Sequence, residues 1–290
     1  MNPSRTTRLS ALVAAFGLIS LMTSLPGRQA HGQEDQSEDF AAPSVFQAAG
    51  PTIESIQGTV NQYRAALGDP NNGIAPGPLT IGRREINWDG GSTTNQSTAL
   101  GANPLPQFLA RGALFTTPDG TGFVQAPAAA DPILFPPGGL AGVFNNPTYA
   151  TIFRAFSPLR LFSAIGGRIT DVDFFVPGVG GNRAATRGFG AVFTDVDQPD
   201  GSGPAKKRGN RRASTLMQYF DAEGELLFSS FVPASPGDGG QSFLGIVLED
   251  ARIARVRIRS GNVAPGPDDD GNRDVVMMDD FLYGEPQPLP

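Results

Sequence analysis

The stretch DVVMMDDFLYGEP, from Asp274 to Pro286, decides the fold. At the two-residue period of a strand, Val275, Met277, Asp279, Phe281 and Tyr283 share one face, and Val276, Met278, Asp280 and Leu282 share the other. Both faces are apolar, so the segment reads as a strand inside a sheet that is covered on both sides. Two adjacent carboxylates then sit where an unpaired charge costs several kcal/mol. Three arrangements resolve the conflict: a bulge that turns both residues outward, a buried arginine partner, or a bound cation.

Upstream of this strand, short apolar runs separated by Gly, Pro, Asp and Asn begin at Arg83. REINW, GALFTT, LRLFSAI, ITDVDFFVP, GFGAVFTDV, STLMQYF, ELLFSSFVP, SFLGIVLE and IARVRIRS all carry strand patterns. TLMQYFDAEGELLFSSF reads as a hairpin whose loop is Asp221 to Gly224, and residues 101–149, rich in Pro, Gly and Ala, read as mostly irregular around one hairpin. Before the strands, Ile53, Ile56, Val60, Tyr63 and Leu67 recur at steps of three and four, with Pro51 suited to a helix start and Gly68 to a stop. With no alternation of strand and helix, the expected fold is all-β: an antiparallel β-sandwich of jelly-roll type at 80–286, preceded by one amphipathic helix at 51–68. Residues 33–50 show no sustained period and are expected to form a flexible leader.

The first 32 residues have the layout of an export signal. Arg5 and Arg8 precede an apolar run from Leu9 to Met22, and Ala30 and Gly32 supply small residues at a cleavage point. That run is shorter than the roughly 20 residues that span a bilayer comfortably. No later run is long enough either, and the terminal GEPQPLP offers no anchor, so a secreted protein, periplasmic or extracellular, is expected. Removal of the leader takes three arginines and no acids, moving the net charge from −6 to −9, which argues against nucleic acid as the partner. It also removes His31, the one histidine of the chain; there is no cysteine. Ser-His-Asp and Cys-His catalysis, zinc held by histidine and haem ligation by histidine or cysteine are then excluded. The remaining catalytic option is a carboxylate-dependent glycosidase, with Asp171, Asp173, Asp195 and Asp197 of the two DVD doublets as its acid and base. The same spacing also suits a shared ion or turn-capping residues at strand ends.

In REINWDG, Glu85, Asn87 and Asp89 line one strand face and Ile86 and Trp88 the other. Hard cations take six to eight oxygen ligands, so this row and the doublet Asp279 and Asp280 together form a candidate structural Ca²⁺ site if first and last strands are neighbours; the alternative is a solvated face. Arg83 and Arg84, beside the row, are available as arginine partners for the doublet. PDDDGNRD at 267–274 fails the EF-hand spacing, because Arg273 stands where a glycine is needed, and reads as a solvated loop. Lys206, Lys207, Arg208, Arg211 and Arg212 form a basic excursion suited to an acidic polysaccharide or to a mobile loop. Arg255, Arg257 and Arg259 alternate with Val256 and Ile258 as a strand with one wet face, and Trp88 reads as core.

GRREINWDG, AFSPLRLFSAIG, TDVDFFVPG, FGAVFTDVD, QYFDAEG, FVPAS, SFLGIVLED, ARVRIRSGN and DVVMMDDFLYGEP, in that order, resemble a family of exported bacterial proteins of unknown function. The resemblance runs from about Gly82 to Pro286 and includes the helix near 53–67. It implies secretion and a β-sandwich, and it defines no catalytic residue. The chain is more loosely similar to the exported sandwich domains of the PEP-CTERM type, from which it departs by having no terminal hydrophobic helix. A non-enzymatic binding or structural protein is the expectation, with a polysaccharide or matrix component as partner.

Overall fold

The structure is a computed structural model that describes residues 42–90, 95–178, 181–198, 215–267 and 273–289. The expected leader peptide and basic excursion lie outside these. The strands are β1 (Ser44–Gly50), β2 (Arg83–Ile86), β3 (Ala99–Ala102), β4 (Ala113–Thr116), β5 (Gly122–Ala126), β6 (Leu161–Ile165), β7 (Ile169–Phe174), β8 (Ala184–Ala185), β9 (Gly188–Thr194), β10 (Leu216–Phe220), β11 (Leu226–Phe231), β12 (Gln241–Val247), β13 (Arg255–Arg259), β14 (Met277–Gly284) and β15 (Gln287–Pro288). The larger sheet runs β1-β12-β9-β14-β6-β5-β3, with β2 also paired to β14, and the smaller runs β11-β10-β13-β7-β4. The named strands pair antiparallel throughout.

The two sheets pack through one aromatic-rich core. Phe162, Phe189, Phe193, Phe281 and Tyr283 from the larger sheet meet Phe115, Val172, Phe174, Tyr219 and Val256 from the smaller. The outer face of the larger sheet is covered as well. Helix α1 (Ile53–Leu67) lays Ile56, Val60, Tyr63 and Leu67 over Val192, Phe243, Val247 and Leu282. Further along, α2 (Gly139–Val143) and α3 (Tyr149–Ile152) lie in a segment that covers Val124, Leu161, Val275 and Met277. Double cover explains why β9, β12 and β14 are buried along their whole length. The close approach of α1 depends on Gly190 and Gly245, which stand opposite each other in β9 and β12. A Cβ on either would come within 2.8 Å of the Tyr63 ring.

Three sequence expectations need correction. Ser44–Gly50, expected to be flexible leader, is β1 and pairs with β12 in seven-residue register; backbone hydrogen bonding, not side-chain period, holds it. β4 and β5 are not partners in a hairpin: the turn between them crosses from one sheet to the other, β4 joining β7 and β5 joining β3 and β6. The face assignment of the decisive strand changes half-way. Met278 pairs with Phe193 and Phe281 with Ala191, so Asp279 and Asp280 together face Val192 across a β-bulge. The inserted residue puts Phe281 and Tyr283 on the same side as Val276 and Met278, all four in the core between the sheets.

Candidate functional site

The bulge places the acidic doublet on the outer side of the sheet, between the residues covered by α1 and those covered by the α2 and α3 segment. It does not open to water: Asp279 is 1% exposed and Asp280 3%. Phe156 N–H donates to Asp279 Oδ2 at 2.6 Å, and Ser157 Oγ lies 3.1 Å from Asp279 Oδ1. Arg64, from the last turn of α1, donates through Nη2 to Asp280 Oδ2 at 3.1 Å and through Nε and Nη2 to Glu85 Oε2 at 3.1 Å each. The partner of the doublet is therefore an arginine, and it comes from the helix, not from Arg83 or Arg84. Arg83 Nε instead donates to Glu85 Oε1 at 2.6 Å, and its Nη1 meets Asp69 and the Gly68 carbonyl.

The five residues Glu85, Asn87, Asp89, Asp279 and Asp280 are gathered in one region, as the pairing of β2 with β14 requires. They do not form one regular row, because β2 ends at Ile86 and Trp88 turns the chain at φ 62°. Trp88 is buried as expected, stacked on Phe162 at 3.7 Å, with its Nε1–H donated to the Asp279 carbonyl at 2.9 Å. Asp89 accepts from Arg160 N–H at 3.0 Å and lies 3.4 Å from Ser157 Oγ. Ser157 thus bridges Asp89 and Asp279 with one proton to donate. Burial, and then the neighbouring Asp280 charge, push the Asp279 carboxyl well above the usual range. Burial also raises Asp280, against the pull of Arg64. Arg64 is the cation that faces the pair, through Asp280. Among the described residues, no three Asp, Glu, His or Cys groups converge to hold a metal ion, and Arg64 occupies the space between Glu85 and Asp280.

A second buried pair escaped sequence reasoning. Arg84, fully buried, donates to Glu285 at 2.7 and 2.8 Å and to the carbonyls of Gly73 and Ala75 at 2.9 Å each. Asn72 Nδ2 and Leu79 N–H complete the Glu285 carboxylate at 2.8 and 3.1 Å. The pair pins the loop after α1 to the end of β14, and the only sequence signal was an acid directly after a buried strand.

The four acids expected as a glycosidase pair are dispersed. Asp171 is held by Arg257 through two bonds of 2.7 Å, and β13 sets Arg255 opposite Asp173 in register. Asp195 and Asp197 lie just past the end of β9, with Asp197 Oδ1 accepting from Gly237 N–H at 2.7 Å. Asp274, expected in a solvated loop, is 1% exposed; its Oδ1 accepts from Asp197 N–H at 3.1 Å, which draws it inward.

An open cleft of about 350 Å³ adjoins the bulge. Its apolar wall includes Ile86, Trp88 and Phe108; its polar wall is Asn87, Gln107, Arg111 and Gln125. No Asp or Glu lines it among the described residues. Comparison with protein-family models, with curated proteins and with solved structures gave no match, which leaves the family resemblance where the sequence motifs put it.

Proposed function

We propose that this chain is an exported, non-enzymatic β-sandwich of jelly-roll type that binds a neutral, polar ligand of the polysaccharide class in the cleft beside Trp88. The observation that carries the reading is the lining of that cleft: three side-chain amides and one guanidinium beside an apolar wall, with no carboxyl group. Amides both donate and accept, which suits sugar hydroxyls, whereas glycoside hydrolysis needs two carboxyls about 5–9.5 Å apart across the bound bond. Trp88 is buried with Phe162 stacked on its ring and offers no stacking face, so hydrogen bonding would supply the selectivity. The two packed sheets and the neighbouring β2 and β14 support the jelly-roll assignment, and the leader pattern supports export. In this reading Arg64 takes the structural role first expected of Ca²⁺ at Glu85, Asn87, Asp89, Asp279 and Asp280.

A glycan array probed with the full-length chain, repeated with Gln107→Ala and Gln125→Ala, tests the proposal. Binding to neutral polysaccharides that falls at least tenfold in either variant supports it. An empty array, binding unaffected by both substitutions, or release of reducing sugar that stops on Asp171→Asn would overturn it.

A further inference from the structure

At one end of the larger sheet three adjacent strands terminate together: β9 ends at Thr194 opposite Gln241 of β12 and Met277 of β14. The residues just beyond these ends bring acids together. Asp195 follows β9 at φ 69° and is 6% exposed, its N–H donated to the Gly240 carbonyl at 2.9 Å. Asp274 precedes β14 and is anchored at its backbone by Asn262, whose Oδ1 accepts from Asp274 N–H at 3.0 Å. Asp197 bridges the two segments, its N–H on Asp274 and its carboxylate on Gly237.

Among the described residues, two carboxylate oxygens of this cluster, Asp195 Oδ1 and Asp274 Oδ2, are buried and have no hydrogen-bond partner. Such atoms are uncommon in folded proteins and call for an occupant. Among the described residues, the principal charges acting on Asp195 are those of Asp197, Asp274 and Asp238, all of one sign. Arg154, which passes close to Gly239, directs its Nη1 to the Pro51 carbonyl instead. One proton shared between the two carboxyls would still leave a negative charge buried beside Asp197 and Asp238. A hard cation answers both deficits at once, since it neutralises the carboxylates and takes up the free lone pairs.

We infer that Asp195 and Asp274, with Asp197 beside them, hold a divalent, oxygen-preferring cation of the Ca²⁺ type that ties the ends of β9, β12 and β14. Because, among the described residues, no three acids already converge on one point, two carboxylates supply the charge and backbone carbonyls and water complete the shell, as is ordinary for Ca²⁺. The site is separate from the cleft beside Trp88 and from the Arg64 cluster, and does not depend on the ligand proposed for that cleft.

The test is thermal unfolding of the full-length chain in EDTA at pH 8, followed by titration with CaCl₂ and parallel calorimetric titration. The expected result is one Ca²⁺ bound per chain and a rise in Tm of about 5–10 °C at a hundredfold excess over Kd. Asp195→Asn/Asp274→Asn should lose the response and, in EDTA, melt above the parent chain, because the like charges are gone. Asp279→Asn/Asp280→Asn should keep the response. No shift and no binding heat in the parent chain overturns the inference, as does a response that survives in the first variant or vanishes in the second alone. Should the first double variant not fold, Asp274→Asn alone carries the same comparison.

Discussion

Replacing Arg64 by methionine keeps the stem of the side chain against α1 and the sheet while deleting the guanidinium. Four hydrogen bonds of the guanidinium vanish, two to Glu85, one to Asp280 and an exposed one to Asn61 Oδ1. Loss of one partner from a buried ion pair typically costs about 3–5 kcal/mol. Here the two ends differ. Glu85 keeps Arg83 at 2.6 Å, so its share is small. Asp280 has a side chain only 4% exposed, and its Oδ1 already lacks a partner, so the bulk of the cost falls there. It can escape by taking a proton, at about 1.4 kcal/mol for each unit between its new pKa and the ambient pH. Removing Arg64 raises a carboxyl that burial has already raised, so the folded state gains protons relative to the unfolded one and loses stability as pH rises. The expected penalty is therefore roughly 3 kcal/mol at pH 8 and roughly 1 kcal/mol at pH 5. Urea unfolding of the parent chain, Arg64→Met, Asp280→Asn and the double variant at both pH values gives the coupling directly. A coupling below about 0.5 kcal/mol at pH 8, or a penalty no smaller at pH 5, would refute the assignment of Arg64 as the partner of the doublet.

Three further outcomes follow from the same physics. Asp195 and Asp274 titrate near 8 and near 7 when folded and near 3.8 when unfolded, so in EDTA the urea midpoint should fall from about pH 4 to about pH 8 and then level; Asp195→Asn/Asp274→Asn should flatten that slope, and an equally steep fall in the variant counts against it. Gly190→Ala drives a methyl into Tyr63 and should cost about 1–3 kcal/mol, with the loss read by urea unfolding; a neutral result would mean that α1 does not sit as close as described. Arg84→Met leaves Glu285 buried without a cation and strips donors from Gly73 and Ala75; a loss of about 3–5 kcal/mol, with faster amide exchange across residues 70–79, is expected, and unchanged exchange there would count against the pin.

Much of the β-rich fold was legible because its pattern is local. Every run from REINW to VVMMDDFLY that carried a strand period is a strand, and the two-sided apolar reading of the decisive segment correctly placed β14 under cover on both faces. What could not be read was non-local. A bulge is set by the register of β9 against β14, so the face of Phe281 could not be counted from Met278. β1 has only Val45 and Phe46 as large apolar residues and is a strand because β12 offers it an edge. Arg64 left a faint trace: it follows Val60 by four residues, at the margin of the buried stripe, where a long cation can reach under the helix. Asp274 was hidden inside a run of acids whose polarity argued for water, and the backbone of Asp197 with the side chain and backbone of Asn262 draw it in.

The position of β14 also governs the order in which the molecule can be assembled. It is the hydrogen-bonded bridge between the β1-β12-β9 half of the larger sheet and the β6-β5-β3 half, and it follows every strand of both halves in the chain. Until Tyr283 has been synthesised, the halves have no common strand and the interior lacks Val276, Met278, Phe281 and Tyr283. The two halves therefore stay unjoined until this strand is added after them, in a step slowed by the wide sequence separation of its pairings.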